Sequence, residues 1–205
     1  MRARIVVAAV LMSGATPLSA LGGSVAEASV AATHNCGHLI VDPRGNAYEF
    51  FLPNKPYNPE ADLLTVDAVT TSSKVVFTVK MASVNPKPTT GTDVGIYFTA
   101  DHQGGSSNWL VDVSHEIDAT TYVLQNQDTL QVINLTGSVD PKAGTYVVEV
   151  PRADIDAKFR GAMLKELGVI TSQDIGLSLA YGGFIEQSTG PEYHYRVGYG
   201  YGCRK

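Results

Sequence analysis

Asp62-Leu-Leu-Thr-Val-Asp-Ala-Val-Thr-Thr-Ser-Ser-Lys-Val-Val-Phe-Thr-Val-Lys-Met81 is the stretch that decides the fold. In its first arm Leu64, Val66 and Ala68 share one parity, with Thr65 and Asp67 between them. In its second arm Val75, Phe77, Val79 and Met81 share one parity, and Thr78 and Lys80 face the other way. Alternation with a period of two is what a sheet needs when one face is buried and the other is wet. Thr71-Ser72-Ser73 supplies the polar corner. The stretch therefore reads as a β-hairpin.

The same signal recurs outward in both directions. Leu39-Ile40-Val41 is a brief strand, and Asp42-Pro43-Arg44-Gly45-Asn46 has turn chemistry at every position. Residues 47–61 carry aromatics and then Pro53, Pro56 and Pro59, which exclude a central strand. Further strands are expected around Val94-Ile96-Phe98, Trp109-Val111-Val113, Thr121 to Gln125, Leu130 to Thr136, Tyr146-Val148-Val150 and Ile175 to Tyr181. A last strand runs from Tyr193 to Cys203. One segment departs from the pattern: Ile155, Phe159, Ala162, Met163 and Leu167 recur at helical spacing, which predicts a short amphipathic helix over 153–167. About nine or ten short strands with turns between them predict an all-β, antiparallel β-sandwich carrying that one helix.

Residues 1–28 have the plan of a signal peptide. A charged Met-Arg-Ala-Arg start precedes the apolar run Ile5 to Leu11, and Ala26-Glu27-Ala28 follows as a cleavage signal. The expected mature unit is one domain over 29–205, secreted to the extracellular space. Losing Arg2, Arg4 and Glu27 takes the 15 basic and 20 acidic residues of the chain to 13 and 19, a net charge of −6. An acidic balance without a basic patch argues against nucleic acid as a partner. No apolar run is long enough to span a membrane. Cys36 and Cys203 sit near the two ends of the mature unit, and in an exported protein they are expected to form one disulfide.

Chemistry-bearing motifs are sparse. There is no Gly-x-Ser-x-Gly elbow and no phosphate loop. Ser114-His115-Glu116 lacks the second histidine of a zinc-protease helix and reads as a polar loop. No enzyme activity is expected. Two arrangements stand out. Asp42, Asn46 and Asp62 offer hard oxygen donors of the kind calcium takes, although turn residues of this type also bond their own backbone. Tyr48, Tyr57, Trp109, Tyr193, Tyr195 and Tyr199 offer ring faces on which sugars stack. Alternating tyrosines in a strand serve equally as core or cross-strand packing.

Asp42-Pro-Arg-Gly-Asn, the loop Pro53-Asn54-Lys55-Pro56-Tyr57-Asn58-Pro59, the Asp62-Leu-Leu opening and Lys74-Val-Val-Phe-Thr-Val-Lys together resemble the start of DOMON-like and family 9 carbohydrate-binding-module-like sandwiches of secreted bacterial proteins. Val150-Pro151-Arg152-Ala153-Asp154 is similar to that family as well. The resemblance implies a structural calcium ion at Asp42, Asn46 and Asp62, and carbohydrate as ligand. Asn46 stands where the family's pattern has a second Asp, and the module is expected to stand without an attached catalytic domain. The expectation is a secreted, non-catalytic binding module for an extracellular polysaccharide or glycan. The alternative is a secreted structural or protein-interaction factor whose partner is a surface protein.

Overall fold

A computed structural model describes residues 37–45, 47, 57–102, 104–158, 161–173 and 194–199. The expected signal peptide, Cys36, Cys203, Asn46, Tyr48, Tyr193 and the 175–181 strand lie outside the described residues.

Eleven strands are formed among the described residues. They are β1 (Ile40–Val41), β2 (Leu63–Thr70), β3 (Lys74–Met81), β4 (Thr92–His102), β5 (Gly105–His115), β6 (Thr120–Asn126), β7 (Val132–Asn134), β8 (Thr136–Asp140), β9 (Thr145–Pro151), β10 (Met163–Gln173) and β11 (Tyr195–Arg196). They build two antiparallel sheets, ordered β1-β2-β3-β9-β8 and β11-β10-β4-β5-β6-β7. The sheets pack as a sandwich. The hairpin that opens the sequence reading is β2–β3, paired from Thr70↔Val75 to Leu63↔Met81.

The core is what the alternation requires. Val66, Ala68, Val75, Phe77, Val79 and Met81 are buried on one sheet, and Val94, Ile96, Phe98, Val111, Val113 and Leu124 on the other. Phe77 and Phe98 meet across the interface with ring centroids 5.9 Å apart. Full burial of one such aliphatic or aromatic side chain contributes about 1.5–3 kcal/mol.

Two connections close the sandwich at its sides. On one side the chain steps from β7 to β8 through Leu135, whose N–H donates to the Tyr122 carbonyl at 2.8 Å. On the other, the buried Tyr195 hydroxyl sits 2.5 Å from Thr70 Oγ1, and the Gly198 N–H donates to the same oxygen at 3.0 Å. Sheet edges are thereby covered or kept short, which limits pairing with other chains.

No helix is present among the described residues, so the helix expected over 153–167 is corrected. Arg152 to Asp156 form turns, and Met163 to Leu167 belong to β10. The helical spacing has a physical origin. A bulge between Lys165 and Gly168 inserts extra residues against β4, with Glu166 at φ 52°. It places Leu164 and Leu167, three apart, on the same buried face. A strand with a shifted parity thus imitates a helix. The same device, between Leu63 and Thr65, puts Leu63 rather than Leu64 into the core.

The expected last strand is also shorter within the described residues. β11 ends at Arg196, and a turn at Val197-Gly198, with Gly198 at φ 81°, separates buried Tyr195 from exposed Tyr199.

Candidate functional site

The 42–45 turn and Asp62 converge. Asp62 is buried, and its carboxylate accepts the Gly45 N–H at 3.0 Å and the Tyr57 hydroxyl at 2.6 Å. Gly45 has φ 94°, which an L side chain adopts poorly. Asp42 is also buried. The Tyr57 phenol is pushed up, chiefly by burial and then by its bond to the Asp62 carboxylate, with Arg44 pulling the other way. Two donors therefore engage the Asp62 carboxylate, chiefly through Oδ2. Among the described residues no group of three or more His, Cys, Asp and Glu side chains is placed to hold a metal. Among the described residues these bonds make Asp62 a hydrogen-bonded lock on the turn. Asp62→Ala is expected to destabilise by about 2 kcal/mol in urea unfolding, since hydrogen bonds to a charged group contribute about 1.5–3 kcal/mol. The Tyr57 phenol should then titrate lower, which absorbance at alkaline pH would read.

The aromatic candidates separate. Trp109 and Tyr195 are buried in the core and form no platform. Tyr57 and Tyr199 are exposed; the Arg196 guanidinium lies 5.7 Å from the Tyr199 ring centre. His115 is buried at the end of β5. Its Nε2 faces the Asn85 carbonyl at 2.8 Å and must donate, so in the neutral ring Nδ1 accepts from the Thr120 hydroxyl at 2.7 Å. That role is structural.

A site absent from the sequence reading lies on the outer face of the six-stranded sheet. The register sets its rows: Ser172, Asp93 and Ser114 in one, Ile170, Gly95 and Asp112 in the next, Gly168, Tyr97 and Leu110 in a third. Gly95 stands in the middle row, and neighbouring side chains close over it. A Cβ there would lie 3.1 Å from Leu110 Cδ1 and 3.3 Å from Tyr97 Cε2, so the Tyr97 ring leans over the glycine. The result is a shallow depression of about 270 Å³, lined by Asp93, Gly95, Tyr97, Leu110, Asp112, Ile170 and Ser172. A glycine inside a strand marks a bulge, a bend, or close approach of a ligand or another part of the chain. Tyr97 keeps 36% of its surface exposed, enough to present a ring.

The Asp112 carboxyl is pushed up, first by burial and second by the charge of Asp93. A carboxylate whose folded pKa is raised costs stability when ionised, and the cost vanishes below its unfolded pKa. Asp112→Asn is therefore expected to raise the melting temperature at neutral pH, with the gain fading as the pH falls through the folded pKa of Asp112. Thermal melts of both proteins from neutral to acid pH read this directly, and a gain that persists in acid would contradict it.

This site was legible only in the complementary parity. Asp93, Gly95 and Tyr97 alternate with Val94, Ile96 and Phe98, and Leu110 and Asp112 alternate with Trp109, Val111 and Val113.

The fold defines an antiparallel, all-β sandwich of five and six strands. Comparison of the chain with protein-family models, with curated proteins and with solved structures gives no match. No helix among the described residues is long and apolar enough to cross a membrane.

Proposed function

We propose that the protein is a secreted, non-catalytic glycan-binding module, and that the depression on the outer sheet face is its binding site. The observation that carries the reading is the exposed Tyr97 ring set over Gly95 beside two carboxylates. A sugar ring has an apolar face that stacks on such a phenol, and its hydroxyls donate to carboxylate oxygens. The depression is small against the roughly 300–1,000 Å³ of drug-sized pockets, which suits one unit of a long polymer lying across the sheet. The resemblance to DOMON-like and family 9 modules supports the same class of ligand at the level of fold. The site proposed here uses other residues than the tyrosines of the sequence reading.

Affinity electrophoresis through gels of soluble polysaccharides tests the reading. At least one polymer should retard the protein, and Tyr97→Ala should weaken that retardation about 10-fold, the loss expected for one aromatic stacking contact. Tyr199→Ala should leave it unchanged. Retardation should survive EDTA if Tyr97 stacking carries the binding, and its loss in EDTA would tie the site to an ion. Equal retardation of the wild type and Tyr97→Ala would place binding elsewhere. No retardation in any gel would move the weight to the protein-interaction reading.

A further inference from the structure

Asp93 and Asp112 sit on neighbouring strands, one step out of register. Asp93 is opposite Ser114, and Asp112 is opposite Gly95. Residues so placed are diagonal neighbours, about 7–8 Å apart along the sheet. No hydrogen bond or ion pair reaches either carboxylate from the described residues. On the adjoining strands the facing side chains are Ile170 and Ser172 of β10 and Thr121 and Val123 of β6, none of them basic. The lysine of β10, Lys165, is held by Asp101. Asp93 and Asp112 thus share one partly buried depression with an aromatic ring and, among the described residues, no counter-charge.

We propose that this depression takes a protonated amine, so that the glycan is an amino-sugar polymer with free amino groups. The inference rests on the glycan reading above and narrows it. A neutral sugar would hydrogen-bond to the carboxylates and leave both charges uncompensated. An ammonium group carries three donors, enough to bridge both carboxylates. It forms charge-assisted bonds about twice as strong as neutral ones. It is also drawn to the face of a tyrosine within about 6 Å of the ring centre. The two carboxylates and Tyr97 supply all three interactions at one place.

Calorimetric titration separates the possibilities. The probes are the glucosamine hexamer, the N-acetylglucosamine hexamer, cellohexaose and spermidine, in a buffer that keeps the amines protonated. The wild type should bind the glucosamine hexamer at least about 10-fold more tightly than either neutral hexamer. Asp93→Asn and Asp112→Asn should each remove most of that preference, lowering affinity for the glucosamine hexamer by about 10-fold and for the neutral hexamers by distinctly less. Melting temperatures at or above the wild type would show that both variants are folded. Equal affinity for the charged and neutral hexamers would overturn the amine inference and leave the glycan reading standing. Spermidine binding as tightly as the glucosamine hexamer, with neither neutral hexamer bound, would keep the amine site and sink the glycan reading. No binding of any probe overturns both.

Discussion

Replacing Arg152 by alanine is expected to cost about 3–5 kcal/mol, enough to bring a marginally stable domain close to unfolding. Arg152 is buried where β9 ends, and its guanidinium serves carbonyls from two separate turns. Nε donates to the Ala157 carbonyl at 2.9 Å and Nη2 to the Lys158 carbonyl at 2.6 Å. Nη1 donates to the Ser72 carbonyl at 2.9 Å, in the corner between β2 and β3. The Arg152 backbone N–H also donates to the Ser73 carbonyl at 2.8 Å. One side chain therefore ties the opening hairpin to the turn that leads into β10. Without it, the Thr71, Ser72, Ala157 and Lys158 carbonyls lose these donors, and a buried acceptor left unsatisfied costs about 1–3 kcal/mol. Arg152→Met keeps much of the apolar stem and should still lose most of the stability, which separates the donors from the packing. Urea unfolding followed by tryptophan fluorescence measures both. A loss below about 1 kcal/mol for Arg152→Ala would mean that water satisfies those carbonyls equally well.

Gly137→Ala is expected to cost about 1–3 kcal/mol, through overpacking and not through any lost contact. Gly137 lies on β8, at the edge of one sheet, where the chain has just crossed from the other. An alanine Cβ would stand 2.4 Å from Tyr122 Cδ1 and Cε1 and 2.7 Å from Cγ. Because Cγ is the root of the ring, turning the ring about its own axis cannot clear the clash. Either the whole side chain swings away or the two edges part. The Tyr122 phenol is pushed up by burial, consistent with a ring pressed between the sheets. Tyr122→Ala removes the obstacle, so the double variant should be more stable than the sum of the two single losses by about 1 kcal/mol. Strict additivity would mean that the ring already has room.

Much of the fold could be read from the chain because burial imposes a period on it. Phe77, Val79, Phe98, Val111 and Val148 all fall in the core, as their alternation requires. The period fails only where the backbone departs from it. At β10 a bulge joins two runs of opposite parity, and Leu164 and Leu167 then lie at helical spacing on a strand. Nothing local distinguishes that from a helix, since the bulge is fixed by pairing with Thr99 and Tyr97 of β4. Leu63 and Leu64 exchange roles for the same reason.

The candidate site was less legible. Tyr195 and Tyr199 share a sequence parity, yet one is 1% exposed and the other 44%, because a turn at Val197-Gly198 intervenes. Asp93, Tyr97 and Asp112 carry no motif. They become a site only when β4 and β5 are laid side by side in register around Gly95.

By itself the sequence determined the strand-rich class, the hairpin 62–81 and most of the inward face, because alternation is a local record of which side meets water. The tertiary structure alone decided the two bulges, the crossing at Leu135, the Arg152 tie and the depression at Gly95. Each of these depends on which strand lies beside which, and strand pairing joins residues that no local pattern can connect.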